Sequence, residues 1–156
     1  PDLLLWVHAV TVDSMLRAHE HFIGPLAREE MDRYCAEMAR IGLMLGIPET
    51  GVPTSVDDLR GYLDQTMANG AIAVTSTART LATELLGARA PTGTGALRPL
   101  VRLAAIGLLP PAVRDGYGFA WDARHEAALM CSAAFLRRAR PLLPDPRVIL
   151  GHLARG

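Results

Sequence analysis

Lysine is absent from the 156-residue chain, so its sixteen basic residues, histidines apart, are all arginines. Chemistry that needs a lysine amine, such as Schiff-base formation, is therefore excluded within this chain. The arginines balance sixteen acidic residues, which leaves a formal net charge of zero. Because no basic surplus is present to neutralise phosphates, we expect no nucleic-acid partner for the chain as a whole.

Aromatic residues make up only 5% of the sequence, and there are two cysteines. The core must therefore be built from Leu, Ala, Val, Ile and Met. Two cysteines cannot form a disulfide framework, and we predict that Cys35 and Cys131 are buried free thiols in helices. The longest apolar stretch, Leu103–Val113, is shorter than the roughly 20 residues of a membrane span and contains two prolines. No transmembrane segment is therefore expected.

The chain begins at Pro1, already inside an apolar helical pattern, and nothing there resembles a signal peptide. We therefore expect one all-α domain over residues 1–156 that continues toward the N-terminus in the full protein. Two free thiols favour a cytoplasmic location, and secretion stays open because we expect the N-terminal sequence to precede this chain.

Half of the residues are hydrophobic, and they recur at helical spacing along most of the chain. Seven or eight helices are predicted. Their expected bounds are the chain start to Phe22, Arg28–Leu45, a third helix capped by Thr54 or Ser55 and closed by Asn69, a fourth capped by Thr75 or Ser76 and reaching Leu86, Leu97–Leu108, a short turn at Val113 and Arg114, Ala123–Arg140 and a terminal helix opened by Asp145 and Pro146. A Gly- and Thr-rich loop over residues 88–96 is the expected internal hinge.

The helical spacing also predicts which faces are buried. In the first helix the predicted apolar stripe is Leu5, His8, Val12, Met15, His19 and Phe22, with Asp13, Arg17 and Glu20 on the opposite, charged side. In the second helix the predicted buried row is Met31, Tyr34, Met38, Ile41 and Leu45. The alternating charges on its other face indicate a solvated surface.

The five histidines do not form a recognisable metal motif. His8 and His19 are eleven residues apart, which is about 16 Å along a helix and too far for one metal ion. His19 and His21 project in nearly opposite directions on a helix, and His125 and His152 have no spaced partner. We therefore predict no metal site. The sequence also has no Gly-x-Ser-x-Gly elbow, and the Thr92–Gly95 segment lacks the Lys-Ser/Thr continuation of a phosphate loop.

His8 has two interpretations that the sequence leaves open. A histidine on an apolar stripe is most often a core residue hydrogen-bonded to a carbonyl or carboxylate. Alternatively, it binds, or supports the binding of, a cofactor in an apolar pocket, because imidazole suits iron and burial tunes its basicity.

The order of several short segments resembles the rubber-oxygenase catalytic-domain family, which includes latex-clearing protein and the membrane-bound oxygenase of mycophenolic acid biosynthesis. The segment Pro1–Ala9, with its Trp-Val-His-Ala element, and Val12–Ser14 resemble that family most specifically. Similar segments follow in the same order as far as about residue 143: Phe22–Leu26, Leu45–Pro48, Tyr62-Leu63, Leu108–Pro111 and Tyr117–Trp121.

The resemblance implies the C-terminal part of a larger all-α domain that binds haem b and uses dioxygen to cleave carbon–carbon double bonds in isoprenoid chains. It implies that the axial iron ligand lies upstream of Pro1, and that His8 and Asp13 belong to the cofactor-binding region. It assigns no catalytic residue here. The lysine that occupies the other iron position in latex-clearing protein has no counterpart in this chain. Ala27, His19 and His21 also depart from the family pattern, which more often has Ser, Tyr and Arg there.

The leading hypothesis is therefore a haem-dependent oxygenase-like protein that acts on an apolar substrate with dioxygen. Two alternatives remain. One is the all-helical ligand-binding domain of a transcription regulator, which has a similar length and helix count. The other is a family member that retains the fold without catalytic activity. The oligomeric state is not predicted.

Overall fold

The computed structural model describes residues 3–70, 73–87 and 98–139. Within these ranges the protein is all-α, which confirms the predicted class, and it has seven helices and no strand. The helices are α1 (Leu3–Phe22), α2 (Arg28–Met44), α3 (Val56–Ala68), α4 (Ser76–Gly87), α5 (Arg98–Gly107), α6 (Pro111–Tyr117) and α7 (Ala123–Ala139). The predicted hinge at 88–96, the Thr92–Gly95 segment, His152 and the terminal helix lie outside the described residues.

Helix α1 is the centre of the packing, because it contacts α2, α3 and α7. Helix α5 packs on α7, and α4 packs on α6. The main core cluster joins α1, α2 and α3, and its buried members are Ala9, Val12, Leu16, Cys35, Val56, Leu59 and Leu63. A second cluster lies where α2 meets the following loop and contains Ala39, Ile47 and Val52, with Leu5 packed against it.

The predicted buried stripe of α1 is wrong in part. Met15 is 56% exposed, whereas Asp13, which was expected on the solvated side, is buried. The buried residues of α1 are His8, Ala9, Val12, Asp13 and Leu16. Because α1 has neighbours on several sides, its buried sector is broader than one apolar row and is centred on the small residue Ala9, which is fully buried.

The predicted buried row of α2 is also wrong at its C-terminal end. Ile41 and Leu45 are 46% and 58% exposed, and the buried positions are Cys35, Ala39 and Gly42. These three small residues recur at steps of four and three, so they form the face on which α2 closely approaches α1 and the loop. Met31, Tyr34 and Met38 are half-buried at the edge of the core.

The cysteine prediction is confirmed for only one of the two residues. Cys35 is a buried free thiol in the core, and burial raises its pKa, which keeps it in the unreactive thiol form. Cys131 is a free thiol exposed on α7. Its apolar sequence neighbours include Met130, which is itself 60% exposed, so apolar neighbours along the chain were a poor guide to burial at this position.

The N-terminus of α3 is fixed by side chains, and of the two predicted cap residues, Thr54 and Ser55, the structure has Ser55. Ser55 is the N-cap, and its Oγ accepts a hydrogen bond of 3.1 Å from the Asp58 backbone N–H. A carboxylate from α2 adds a second acceptor, since Asp32 Oδ1 accepts a hydrogen bond from the Val56 N–H at 2.8 Å. That backbone hydrogen bond lowers the pKa of Asp32. The cap and the cross-helix bond together set the position of α3 relative to α2.

Replacement of the α3 cap provides a local stability test. Ser55→Ala is expected to lower the free energy of unfolding by about 1 kcal/mol, because the Asp58 N–H loses its acceptor. Thr54→Ala is the matched control, since Thr54 is exposed and precedes the cap. Urea denaturation of both variants checks the prediction. Equal stability of the two variants would mean that the Ser55 cap contributes nothing.

Candidate functional site

The candidate site is a cavity of about 220 Å³ enclosed by α1, α3 and the turn between α5 and α6. Its wall is largely apolar, with a few charged side chains among the apolar ones. The lining residues are Trp6, Val10, Asp13, Ser14 and Arg17 from α1, Arg60, Leu63, Asp64 and Met67 from α3, and Leu108, Leu109, Pro110 and Val113 from the α5–α6 region. This combination is typical of a small-molecule site.

Asp13 is the sequence-predicted site residue that lies in this wall. It is buried, and its Oδ2 accepts a hydrogen bond of 2.6 Å from Arg17 Nε, one helical turn further along α1. The ion pair is the predicted i,i+4 pair on α1, and it orients the Arg17 guanidinium at the cavity. The negative charge of Asp13 in the apolar wall is therefore neutralised by Arg17.

Helix α3 provides two further charged residues, Arg60 and Asp64, on the other side of the cavity. Sequence reasoning missed them. They are four residues apart and flank the inward-facing Leu63, so helical spacing alone could have placed them beside the core. Only the packing of α3 on α1 brings them near Asp13.

His8 lies elsewhere. The residue is 7% exposed, and its ring lies against Gly42 of α2, which Ile47 and Val52 of the following loop also approach. The approach is close, because a Cβ built on Gly42 would lie 3.1 Å from His8 Nε2. No described residue hydrogen-bonds the ring, so the expected carbonyl or carboxylate partner of a core histidine is not found there. Burial lowers the pKa of His8, which favours the neutral imidazole.

The structure therefore does not bring the two predicted cofactor-binding residues together. His8 and Asp13 are five positions apart on α1, which separates their directions by about 140°. Asp13 lines the cavity, whereas His8 lines neither this cavity nor the four neighbouring ones. His8 holds α1 against α2 on one side of the helix, and Asp13 faces the cavity on another.

Two of the other described histidines, His19 and His125, lie at helix ends and apart from each other. His19 Nδ1 lies 3.2 Å from the Gly24 carbonyl at the end of α1, and His125 Nδ1 lies 2.7 Å from Asp122, the N-cap of α7. In the part of the chain that the structure describes, no three His, Cys, Asp or Glu side chains are grouped as metal ligands.

Residues 1–140 match the family described as ER-bound oxygenase mpaB/B′/Rubber oxygenase, catalytic domain. The chain belongs to this oxygenase family. The match confirms the resemblance carried by the Trp-Val-His-Ala element and the segments that follow it. Comparison with curated proteins and with solved structures gave no match. None of the described helices combines the length and apolar character that a membrane crossing requires.

Membership in the oxygenase family raises the question of whether the described residues fit haem. An axial ligand must direct a free donor atom into a slot wide enough for the macrocycle. His8 Nε2 is directed at α2 instead, and no histidine or cysteine lines the 220 Å³ cavity, which is smaller than the roughly 300–1,000 Å³ of common ligand pockets. Neither His8 nor any residue that lines this cavity fits the role of axial ligand. The lining residues do fit an apolar binding surface.

The buried imidazole predicts a pH dependence of stability. Because the pKa of His8 is lowered from 6.5 in the folded state, the unfolded chain binds more protons as the pH falls below about 6.5. The stability that the neutral His8 contributes is therefore fully present above about pH 6.5 and is lost progressively as the pH falls below that value. We expect urea denaturation between about pH 5 and about pH 8 to show a smaller decline on acidification for His8→Gln than for wild type. Identical pH profiles would contradict this role of His8.

Proposed function

We propose that the protein is a haem b-dependent oxygenase that acts on an apolar substrate, with isoprenoid chains as the leading class, and consumes dioxygen. Its membership in the oxygenase family over residues 1–140 is the observation that carries the proposal. The apolar wall of the 220 Å³ cavity supports the substrate class, because such a surface binds hydrocarbon and excludes water.

The chain's own residues then have defined tasks. Leu63, Met67 and Val113 provide apolar contact area for the substrate and keep water away from it. Asp13 holds Arg17 at the edge of the same cavity. This fixed ion pair is the polar boundary of the apolar space in which the substrate would bind. Haem, if bound, would supply the activation of dioxygen, and α1 with His8 and Asp13 would form part of the region that holds it.

In this proposal His8 and Asp13 are both part of the cofactor-binding region because both lie on α1, although the two side chains face different neighbours. His8 fills the space between α1 and Gly42, so it fixes the position of α1, and Asp13 lies on the cavity face of that helix. His8 is therefore a positioning residue, and Asp13 is the residue that lines the site.

The absorbance spectrum and haem content of the full-length protein, produced with a haem supply, test the cofactor. A Soret band with stoichiometric haem is the expected result. A colourless protein that binds an apolar ligand would contradict the oxygenase and support the ligand-binding alternative. Haem-loaded protein that consumes no dioxygen with any isoprenoid substrate would instead identify a family member without the catalytic activity.

His8→Ala is expected to lower the haem content of the full-length protein, because the vacated space lets α1 shift relative to α2. His8→Gln is the matched variant, since its amide retains most of the volume and should retain most of the haem. Haem content is measured together with the urea midpoint of each variant. If His8→Ala keeps the wild-type spectrum and stoichiometry, His8 has no part in cofactor binding.

A further inference from the structure

A second cavity, of about 420 Å³, adjoins the 220 Å³ cavity and shares part of its wall. It lies between α1, α6 and the segment that precedes α4. The residues that line both cavities are Trp6, Val10, Met67, Leu109 and Val113. All five are apolar, and no charged side chain of the described chain lines both cavities. The junction between the two spaces is therefore apolar.

Helix α1 shows the direction in which the two cavities follow one another. Arg17, Asp13, Val10 and Trp6 recur at steps of three and four, so they lie on one face of the helix. Arg17 and Asp13 line only the first cavity, whereas Val10 and Trp6 line both. From Arg17 to Trp6 this row extends about 16 Å along the helix. The two cavities thus occupy successive parts of one elongated space.

The walls opposite α1 change in the same order. Met67, near the end of α3, lines both cavities, and Val74, further along the chain, lines only the second. On α6, Val113 lines both cavities, and Tyr117, about one turn later, lines only the second. Three separate parts of the chain therefore give the same order of lining residues, as expected for two cavities that lie end to end.

The charged side chains lie away from the junction. Those that line only the first cavity are Asp13, Arg17, Arg60 and Asp64. Arg79 is the charged residue of the second cavity, and its Nε donates a hydrogen bond of 2.8 Å to the Gly116 carbonyl, which joins α4 to α6 at that end. An apolar middle with charged groups beyond it favours a ligand whose body is a hydrocarbon chain.

We propose that the two cavities form one binding site for a single extended hydrocarbon chain, and that residues lining the second cavity alone determine how long a chain the site accepts. Ala112, Val74 and Tyr117 are the length-determining residues. A short chain occupies one cavity, whereas a long chain needs both. The inference rests on the proposed function, because it takes the bound chain to be the substrate.

Calorimetric titration of haem-free full-length protein with hexanol and with decanol tests the proposal. An extended decanol molecule is nearly as long as the row from Arg17 to Trp6, whereas hexanol is much shorter. Each methylene group removed from water raises the affinity by a factor of about four. We therefore expect wild-type protein to bind decanol at least about fiftyfold more tightly than hexanol.

Two substitutions at opposite ends separate a continuous site from two independent ones. Ala112 lines only the second cavity and Ser14 only the first, and both are exposed, so Ala112→Trp and Ser14→Trp each fill one cavity from its edge. Each variant should weaken decanol binding at least about tenfold, because about two or more methylene groups lose their place. Hexanol should stay within about threefold in each, since one cavity remains open.

Val101→Trp is the matched control, because Val101 is exposed and lines neither cavity. It should leave the affinity for both alcohols within about twofold. Ala112→Leu, a smaller change, replaces Ala112→Trp if that variant does not fold, and it should also weaken decanol more than hexanol. Decanol binding that only one of the two end substitutions weakens, or equal losses for hexanol and decanol, would overturn the proposal.

The titration requires neither haem nor dioxygen, so its outcome is separate from that of the proposed function. Protein that binds decanol across both cavities but consumes no dioxygen would possess this site without the oxygenase activity. Oxygenase activity in a protein whose decanol affinity ignores Ala112→Trp would retain the proposed function and contradict the length-determining role of the second cavity.

Discussion

Gly107→Ala is expected to lower the free energy of unfolding by about 2 kcal/mol. A Cβ built on Gly107 would lie 2.5 Å from Leu129 Cδ2 and 2.6 Å from Trp121 Cη2, so α5 and α7 would have to move apart. Leu129 is almost fully buried and has little room to adjust. Overpacking of this kind costs about 1–3 kcal/mol, and the gain in helix propensity is small because Gly107 is the last residue of α5.

Gly61→Ala is the matched control for that substitution. Gly61 lies inside α3, and beyond the adjacent backbone of its own helix no atom lies within 4 Å of the position that its Cβ would take. The same chemical change should therefore raise the free energy of unfolding by about 0.5–1 kcal/mol. Urea denaturation measures the change in the free energy of unfolding, which should be a loss for Gly107→Ala and a gain for Gly61→Ala. If both variants are stabilised, the close packing of α5 on α7 is not a feature of the folded protein.

Val113→Trp is expected to reduce kcat/KM for an apolar substrate by more than about tenfold, a loss of about 1.4 kcal/mol or more of transition-state binding. Val113 is half-buried and lines the 220 Å³ cavity, so an indole ring there would fill much of the space that we propose for the substrate. The loss should appear mainly as a higher KM, because the substitution removes binding volume and leaves the reacting groups untouched.

Val101→Trp is the control for this cavity-filling change, because Val101 is a helical valine that is 62% exposed and lines none of the five cavities. Its kcat/KM should stay within about twofold of wild type. Unfolding midpoints of both variants separate a blocked cavity from a destabilised fold. Equal activity of Val113→Trp and Val101→Trp would show that the substrate does not occupy this cavity.

The helices and their ends could be predicted from the sequence, because local signals determine them. Ser55 caps α3 through its own hydroxyl, and Asp122 caps α7 through hydrogen bonds to the next few backbone N–H groups. The exposure of Met15, Ile41 and Cys131 could not be predicted in the same way. Apolar spacing gives one face of a helix, whereas burial depends on how many neighbours surround it and how closely they approach.

The candidate site was predictable only in part for the same reason. Asp13 was identified because it belongs to a recognisable segment, and the structure places it in the cavity wall. Arg60 and Asp64 reach that cavity through the packing of α3 on α1, which no local pattern encodes. The packing of His8 on Gly42 likewise depends on the close approach of two helices.

The central claim is that this oxygenase-family chain forms the substrate wall of a haem-dependent enzyme. The most direct measurement is dioxygen consumption by haem-loaded full-length protein in the presence of an isoprenoid oligomer, followed with an oxygen electrode. We expect wild-type protein to consume dioxygen only when the oligomer is present. At low oligomer concentration the rate should be more than about tenfold lower in Val113→Trp and unchanged in Val101→Trp. Binding of the oligomer by haem-loaded protein without any dioxygen consumption would contradict the claim.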